Sequence, residues 1–458
     1  MAVSEPNSGQ TASHTSEARP PDRGSANVVA TPGAPVSPDT NLGEQRDDSE
    51  SGLRRVLNRT FESLRNRQFL FLWFGMLSGM SGTQMQFFAR GILVFEITDQ
   101  NFLLTGLVGV GFGPAMLIGS IVAPVITMRM EGRIMIQVVQ VGQVLLAGTV
   151  AVLLLTDTLI WQHLLIASVV QGGFFSFMMP ARQVMIPKMV GRDLMSNAMS
   201  LNAAALSLTA MVAPAVGGVL YALFGPQGVY IVVASLNVVA VVSTGFIMKY
   251  PPDPNAPRRS VLASWTEGFR HVAQRKTLLQ VMIFSGVAAL LTMPFRMMLP
   301  PIAIDIYGAS EVETGLLVGV VGVGSLIGAL GIANLRRGQR RGLILLMTSV
   351  VSGVAFVLFA GLPVYWIGLV LMIPVGFAEV GRFALGQALS MELTDDAHRA
   401  HVASLFMMSF SVVALGMLPL GLAMEAFGAE VAMLGLGVAL LITSVLFIVT
   451  MKGLRQFG

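Results

Sequence analysis

The feature that most constrains this chain is the length of its apolar sequence after residue 69. From there to the C-terminus the one sizeable polar interruption is Lys249–Lys276. The chain has 458 residues, of which 54% are hydrophobic and only 12% are charged, whereas a soluble domain carries roughly 25% charged residues. A globule would have to be very large to hide so much apolar surface from water, so the composition predicts lipid as the solvent.

Twelve apolar segments follow residue 69, and each is long enough to cross a hydrocarbon core that needs about 20 helical residues. Six precede the polar interruption and six follow it. We therefore predict an all-α integral membrane protein with 12 transmembrane helices in two pseudo-symmetric six-helix bundles. The segments lie at 69–95, 102–127, 134–156, 159–180, 198–222, 228–248, 277–304, 314–335, 342–361, 364–390, 401–424 and 430–451.

The connections between these segments alternate in charge. One set lacks Lys and Arg and contains acidic residues such as Asp99, Asp157 and Glu425, whereas the other set contains basic residues such as Lys188 and Arg399. Because cytoplasmic loops are enriched in Lys and Arg, this alternation predicts that both termini and the polar interruption are cytoplasmic. We expect a monomeric multi-pass protein of the plasma (inner) membrane, surrounded by the lipid bilayer.

The polar stretches divide the chain into six parts. Residues 1–52 are rich in Pro, Ser, Gly and acidic residues, and we expect a disordered tail there. Residues 53–68 place apolar residues at helical spacing opposite Arg, which fits either a helix on an anionic membrane surface or an ordinary basic flank. The other parts are an N-terminal bundle at 69–249, a linker at 250–276, a C-terminal bundle at 277–452 and a tail at 453–458.

The linker combines a proline-rich beginning with an amphipathic second half. Its prolines are expected to end the sixth helix. From Leu262 to Val272 the apolar residues recur at helical spacing, which predicts a short helix against the cytoplasmic membrane surface.

Several stretches of the sequence resemble the major facilitator superfamily, in the branch that exports drugs and siderophores. The resemblance is carried by Pro180–Val190 (PARQVMIPKMV), Glu267–Val272 (EGFRHV) and Ala213–Gly218 (APAVGG), and it covers roughly residues 60–450. It implies secondary transport by alternating access, with a central cavity lined by helices one and seven. Similar polar stretches recur in the two halves, as in transporters whose site lies between two repeats.

The superfamily's loop between helices two and three normally reads Gly-x-x-x-Asp-Arg-x-Gly-Arg, and this chain departs from it. Arg129 occupies the Asp position, and Leu335 occupies the acidic position of the second copy. In helix five, the run Pro214, Gly217 and Gly218 fits either a bend that sets which face opens or simple close packing. The residues assigned to conformational motifs on this resemblance are Gly132, Arg133, Pro180, Arg182, Pro187, Pro214, Gly217, Gly218 and Gly338.

Two arginines mark a predicted substrate cavity. Arg90 shares a face of the first helix with Thr83 and Gln86. The corresponding set on the seventh helix is Ser285, Thr292 and Arg296. Because each Arg would cost a few kcal/mol facing lipid at the bilayer centre, each is expected to face a partner or a water-filled cavity.

Two guanidiniums in a cavity would favour a substrate with a carboxylate, phosphate or catecholate group. Two alternatives stay open for the arginines. They could pair with acidic loop residues such as Asp305, or they could extend to the lipid headgroups.

Glu379 and Arg382 are the other charged residues inside apolar segments. They lie one turn apart on helix ten and could neutralise each other, or Glu379 could titrate. The resemblance implies an acidic residue on helix one for proton coupling, but Thr83 and Gln84 are there instead. By elimination, Glu379 and Arg382 are the candidates for proton coupling.

No phosphate-binding Gly-rich loop with Lys-Ser/Thr is present, so ATP is not expected to drive the protein. The chain has no Cys, and its five His residues show no metal-ligand spacing; we expect no metal, no cofactor, no nucleic-acid partner and no enzymatic activity. The predicted function is secondary active export of an amphipathic or anionic small molecule, by proton-coupled antiport. The alternatives are an importer of the same fold and a non-transporting sensor or assembly protein.

Overall fold

The computed structural model describes residues 61–191, 194–250, 269–333, 335, 340–395 and 398–455, and their regular structure is helical. Leu57–Gly458 forms one compact unit. The predicted disordered tail at 1–52 lies outside the described residues. So does Gly338, and so does the first part of the predicted linker helix, of which the described stretch 269–274 is helical.

We number the α-helices in chain order and call α1–α6 the N half and α7–α14 the C half. Their bounds are α1 Arg67–Ile97, α2 Phe102–Val110, α3 Phe112–Arg129, α4 Gly132–Leu155, α5 Trp161–Val190, α6 Met195–Gly245, α7 Lys276–Tyr307, α8 Glu311–Ala333, α9 Arg341–Gly361, α10 Tyr365–Glu392, α11 Arg399–Val413, α12 Met417–Phe427, α13 Ala429–Thr450 and α14 Lys452–Arg455.

Within the described ranges, nine helices are long and apolar enough to span a membrane, with α2 and the start of α3 acting as one span. The 51-residue helix α6 is itself two helices joined end to end, because Gly225 interrupts it with φ 67° and ψ −177°. Such a backbone conformation is open to glycine and strained for other residues. The count of 12 transmembrane helices remains a prediction.

Two predicted segments are interrupted near a proline. The second divides at Gly111, three residues before Pro114, and the eleventh divides at the 3-10 turn Ala414–Gly416, shortly before Pro419. Proline has no backbone N–H and therefore leaves the carbonyl four residues earlier without its helical donor. The interruptions are local consequences of the sequence.

Helix α5 corrects the sequence prediction, which ended the fourth segment at residue 180. The helix continues to Val190 with Pro180 and Pro187 inside it. Ala181 and Met185, four residues apart, are buried at 0% and 1% exposure in the core of the N half. Helical spacing of apolar residues thus continues past the proline, and burial of that face offsets the lost hydrogen bond.

The predicted basic flank is described only from residue 61 onward. There Glu62–Arg65 forms a 3-10 turn, and Asn66 ends it. The Asn66 side chain accepts hydrogen bonds from the backbone N–H groups of Gln68 and Phe69, at 2.9 and 3.4 Å, and so caps α1. The described part of the flank is therefore a capped helix entry rather than a continuous surface helix.

The two halves share an apolar core at only one level of the described structure. We call the end with the connections 98–101, 156–160 and 308–310 the acidic end, and the opposite end the basic end. Near the acidic end, one buried cluster contains residues of both halves, including Phe88 and Ile302. Toward the basic end, each described cluster draws its buried residues from a single half. The halves are therefore joined at the acidic end.

Candidate functional site

Glycines allow the two halves to approach closely at the acidic end. A Cβ atom at Gly218 of α6 would lie 2.4 Å from the carbonyl oxygen of Glu311 at the start of α8, and one at Gly315 would lie 2.7 Å from the carbonyl oxygen of Pro214. Such distances are shorter than real Cβ contacts, so the helices pack backbone against backbone. The interface closes the acidic end between the halves.

A second glycine contact joins the halves between α2 and α12. A Cβ atom at Gly106 would lie 2.8 Å from the carbonyl oxygen of Met417. Glu425 lies in the last turn of α12. Its carboxylate accepts hydrogen bonds from the Phe102 backbone N–H at 3.0 Å and from the Asn101 side chain at 3.4 Å. Because an anion is stabilised at a helix N-terminus, Glu425 strengthens the closed acidic end.

Arg90 is buried inside the N half, with 5% of its surface exposed. It donates a hydrogen bond of 2.7 Å to Gln171 of α5, and Gln171 in turn donates one of 2.9 Å to Gln86. The guanidinium also lies 5.1 Å from the centroid of the Phe87 ring. Burial and these contacts exclude extension of Arg90 to lipid headgroups. The predicted neighbour Thr83 lies on the same helix and donates back to the Gly79 carbonyl.

Arg296 pairs with Glu379 in the C half. Its guanidinium donates to the Glu379 carboxylate at 3.0 Å, with side-chain exposures of 29% and 13%. Arg382, which could have neutralised Glu379, instead donates to the Thr348 carbonyl at 3.2 Å and to the Ser352 hydroxyl at 2.7 Å. Glu379 therefore bonds to helix α7 across the bundle, and the pairing with Asp305 considered for Arg296 is not the one formed.

The Arg90–Gln171 and Arg296–Glu379 contacts occupy corresponding places in the two halves. Each joins the first predicted segment of its half to the fourth predicted segment, across 81 residues in one case and 83 in the other. The N half has a neutral amide where the C half has a carboxylate. Only the contact in the C half can therefore gain or lose a proton on its acceptor.

A cavity of about 120 Å³ lies beside the ion pair in the C half. It brings together four of the predicted residues, two from each predicted group. The Ser285 hydroxyl oxygen is buried without a hydrogen-bond partner in the described structure, whereas the Thr292 hydroxyl donates to the Ala288 carbonyl at 2.8 Å. The lining includes Ser285, Thr292, Met293, Glu379, Arg382 and Phe406.

The predicted cavity residues of the N half do not line this space. Thr83, Gln86 and Arg90 lie on α1, and the lining residues all belong to the C half. The cavity therefore belongs to the C half alone, and the two predicted sets of cavity residues are not brought into one site.

The predicted motif residues near the basic end make contacts within the N half. Arg133 donates to the carbonyl oxygens of Ile247 and Gly245, at 2.5 and 2.8 Å, and so caps the end of α6. A Cβ atom at Gly132 would lie 2.8 Å from Met185 Cγ, so this glycine lets α4 begin against α5. A cation and its hydrogen bonds at a helix C-terminus are stabilising.

Arg182 lies inside α5, two residues beyond the predicted end of the fourth segment. The structure buries it inside α5 at 4% exposure, with Nε and Nη1 lacking a hydrogen-bond partner among the described residues. In α6, the described helix stays continuous at Pro214, and its non-helical residue is Gly225. Gly217 faces Phe88, and Gly218 faces α8, so close packing is what this run provides here.

Sequence reasoning missed Gln171 and Glu425. Gln171 could have been found as an amide inside an apolar segment. It follows Arg90 by 81 residues, nearly the same separation in sequence as the 83 residues between Arg296 and Glu379. Glu425 was noted only as an acidic loop residue, because the contact with α2 spans 323 residues. Neither partner can be identified from periodicity within one helix.

Comparison with known proteins agrees with the helical architecture. The sequence profile of the transmembrane secretion effector family matches residues 58–456. The enterobactin exporter EntS of Shigella boydii serotype 4 (strain Sb227) is 27% identical over 373 residues, covering 79% of this chain and 86% of the relative. EntS of Escherichia coli O157:H7 (strain EC4115) is 27% identical over 290 residues, covering 62% and 68%.

Solved structures share the fold at low sequence identity. The nucleoside transporter NupG superposes with a TM-score of 0.70 and 14% identity, covering 84% of this chain and 99% of NupG. A bacterial homologue of the human lysosomal transporter Spinster, in an inward-facing and unoccupied conformation, gives a TM-score of 0.63 and 15% identity, covering 85% and 96%. This chain is an exporter-like transmembrane transporter that belongs to the transmembrane secretion effector family of the major facilitator superfamily.

Proposed function

We propose that this protein is a secondary active transporter that exports an amphipathic or anionic small molecule by proton-coupled antiport. In this proposal, 12 transmembrane helices form two six-helix bundles in the plasma (inner) membrane, both termini are cytoplasmic and the protein works as a monomer. The basic end is then cytoplasmic. The described state, joined at the acidic end, is the one that receives substrate from the cytoplasm.

The observation that carries the proposal is the Arg296–Glu379 ion pair beside the cavity of the C half. When Glu379 is ionised, it holds the guanidinium. A substrate that donates a hydrogen bond to the ionised Glu379 carboxylate can at the same time pair an anionic group with Arg296. A proton on Glu379 removes that acceptor, so proton and substrate compete for the same carboxylate, and this competition can exchange one for the other.

The buried Ser285 hydroxyl supplies a second polar contact in the cavity, and the apolar lining suits an amphipathic molecule. Relatives of this chain are enterobactin exporters, so enterobactin is the first compound to test. Other anionic amphipathic compounds form the rest of the test panel.

The test is transport by the purified full-length chain in proteoliposomes with an imposed pH gradient. In the wild type we expect substrate to accumulate against its own gradient, moving in the direction opposite to the flow of protons. Accumulation that is indifferent to the pH gradient would rule out proton coupling. Transport only in the opposite direction would identify an importer, and no transport across the whole panel would favour a sensor or assembly protein.

The Glu379→Gln variant tests the proposed role of the ion pair. It should abolish uphill export driven by the pH gradient while leaving substrate exchange across the membrane, because the acceptor no longer titrates. Unchanged uphill export by this variant would remove Glu379 from the coupling mechanism.

A further inference from the structure

Two histidines and an aspartate that are distant in sequence come together at the basic end. His271 belongs to the helical stretch 269–274, which ends the linker, whereas Asp395 and His398 lie in the connection between α10 and α11. One possible ligand atom from each residue lies within 4.8 Å of the other two. The rings of His271 and His398 are 4.1 Å apart and nearly parallel.

We propose that His271, Asp395 and His398 form a binding site for a divalent transition-metal ion such as Zn²⁺. Imidazole nitrogens and a carboxylate oxygen are ordinary ligands of Zn²⁺, which binds them at about 2.0–2.2 Å. Modest side-chain movements would bring three ligand atoms now within 4.8 Å to those distances.

The His271 imidazole carries the strongest sign of a missing ligand. The residue is 9% exposed, and its Nε2 atom is buried without a hydrogen-bond partner in the described structure. A buried polar atom without a partner costs free energy unless something binds it.

Arg275 prepares the carboxylate ligand. Its Nη2 atom donates to Oδ2 of Asp395, and its Nη1 atom donates to the Leu393 carbonyl at 2.8 Å. The guanidinium therefore fixes the orientation of Asp395 while leaving Oδ1 for a metal. Hydrogen-bonded outer groups of this kind orient metal-ligating carboxylates in proteins.

A small apolar cluster lies next to the three residues. Val272, next to His271, is 4% exposed and packs with Leu278, Val402 and Leu405. The cluster holds the linker stretch against the start of α11. A bound metal would thus fasten the end of the linker to the α10–α11 connection of the C half, independently of which substrate is transported.

The site can be tested on the full-length chain in detergent, purified with a histidine-free affinity tag. The metal is removed with a chelator, and Co²⁺ is titrated because its visible absorption reports imidazole and carboxylate ligation. We expect saturation at one Co²⁺ per chain and its displacement by Zn²⁺. A wild-type chain without a saturable Co²⁺ band, and without protection of the fold by Zn²⁺ against heat, would overturn the proposal.

Variants distinguish this site from adventitious binding. His271→Gln and Asp395→Asn should each remove the Co²⁺ band, and Arg275→Gln should weaken Co²⁺ binding by roughly 10- to 100-fold through the oriented carboxylate. His163→Gln is the matched control, since His163 lies at the acidic end and its side chain accepts a local hydrogen bond from the Ile160 backbone N–H. Equal binding by His271→Gln, Asp395→Asn and the control would refute the site. Should His271→Gln fail to fold, the exposed Asp395 supplies the decisive variant.

Discussion

Replacing Gly218 with alanine should open the acidic end between the two halves. The new Cβ atom would lie 2.4 Å from the carbonyl oxygen of Glu311, about 1 Å short of ordinary contact. Because the Glu311 carbonyl oxygen belongs to the backbone and cannot rotate away, α6 and α8 must move apart or their backbones must distort. Overpacking of this kind costs about 1–3 kcal/mol. The cost arises only when the acidic end is closed. The equilibrium constant between the closed and open states should therefore shift toward the open state by a factor of roughly 5 to 150.

The absence of native cysteine makes this shift measurable without first removing other thiols. Spin labels at Thr158→Cys and Leu362→Cys, both at exposed positions of the acidic end, report the distance between halves by double electron–electron resonance. The Gly218→Ala chain should show a larger population at the longer distance than the parent. Gly148→Ala is the matched control, because nothing lies within 4 Å of a Cβ atom at Gly148. A distribution for Gly218→Ala that matches the parent and the control would refute the packing argument.

Three further substitutions test separate contacts. Glu425→Gln removes a charge from a helix N-terminus, an interaction worth about 0.3–1 kcal/mol. It should slightly increase the population at the longer distance for the same label pair. An unchanged distance distribution would exclude Glu425 as a stabiliser of closure. Arg133→Gln removes charged hydrogen bonds to two carbonyls, worth about 1.5–3 kcal/mol each; it should lower thermal stability without changing that distance, because its contacts lie within one half. Gln171→Glu places a carboxylate beside Arg90; it should make substrate exchange more dependent on pH, and an unchanged pH profile would contradict the correspondence of the two halves.

The helices were predictable because the signal for each lies within its own segment. Apolar residues at helical spacing are a local property, and so is the effect of Pro114 or Pro419 on the backbone. The end of α5 was predicted wrongly because the segment was ended before the polar run that follows residue 180, whereas buried residues beyond Pro180 sustain the helix. Polar residues on one face of a helix do not end it when the opposite face stays apolar and buried.

The charged residues beside the cavity of the C half stand out in the sequence, but the way in which they pair does not. Arg296 and Glu379 stood out because charges are costly in apolar segments. Their mutual contact depends on how α7 and α10 pack, and nothing within either helix encodes it. Helical periodicity instead suggested Arg382, one turn from Glu379, as the partner of the carboxylate. The His271–His398 contact escaped sequence analysis for the same reason, since only the fold brings the linker to the α10–α11 connection.

The central claim is that the two halves open alternately at the two ends while substrate moves. Its most direct measurement compares two label pairs in liposomes that carry out transport: Thr158→Cys with Leu362→Cys at the acidic end, and Met130→Cys with Arg340→Cys at exposed positions of the basic end. We predict opposite changes, so that conditions which lengthen the acidic-end distance shorten the basic-end distance. An acidic-end distance that stays at one short value during active transport would contradict the claim.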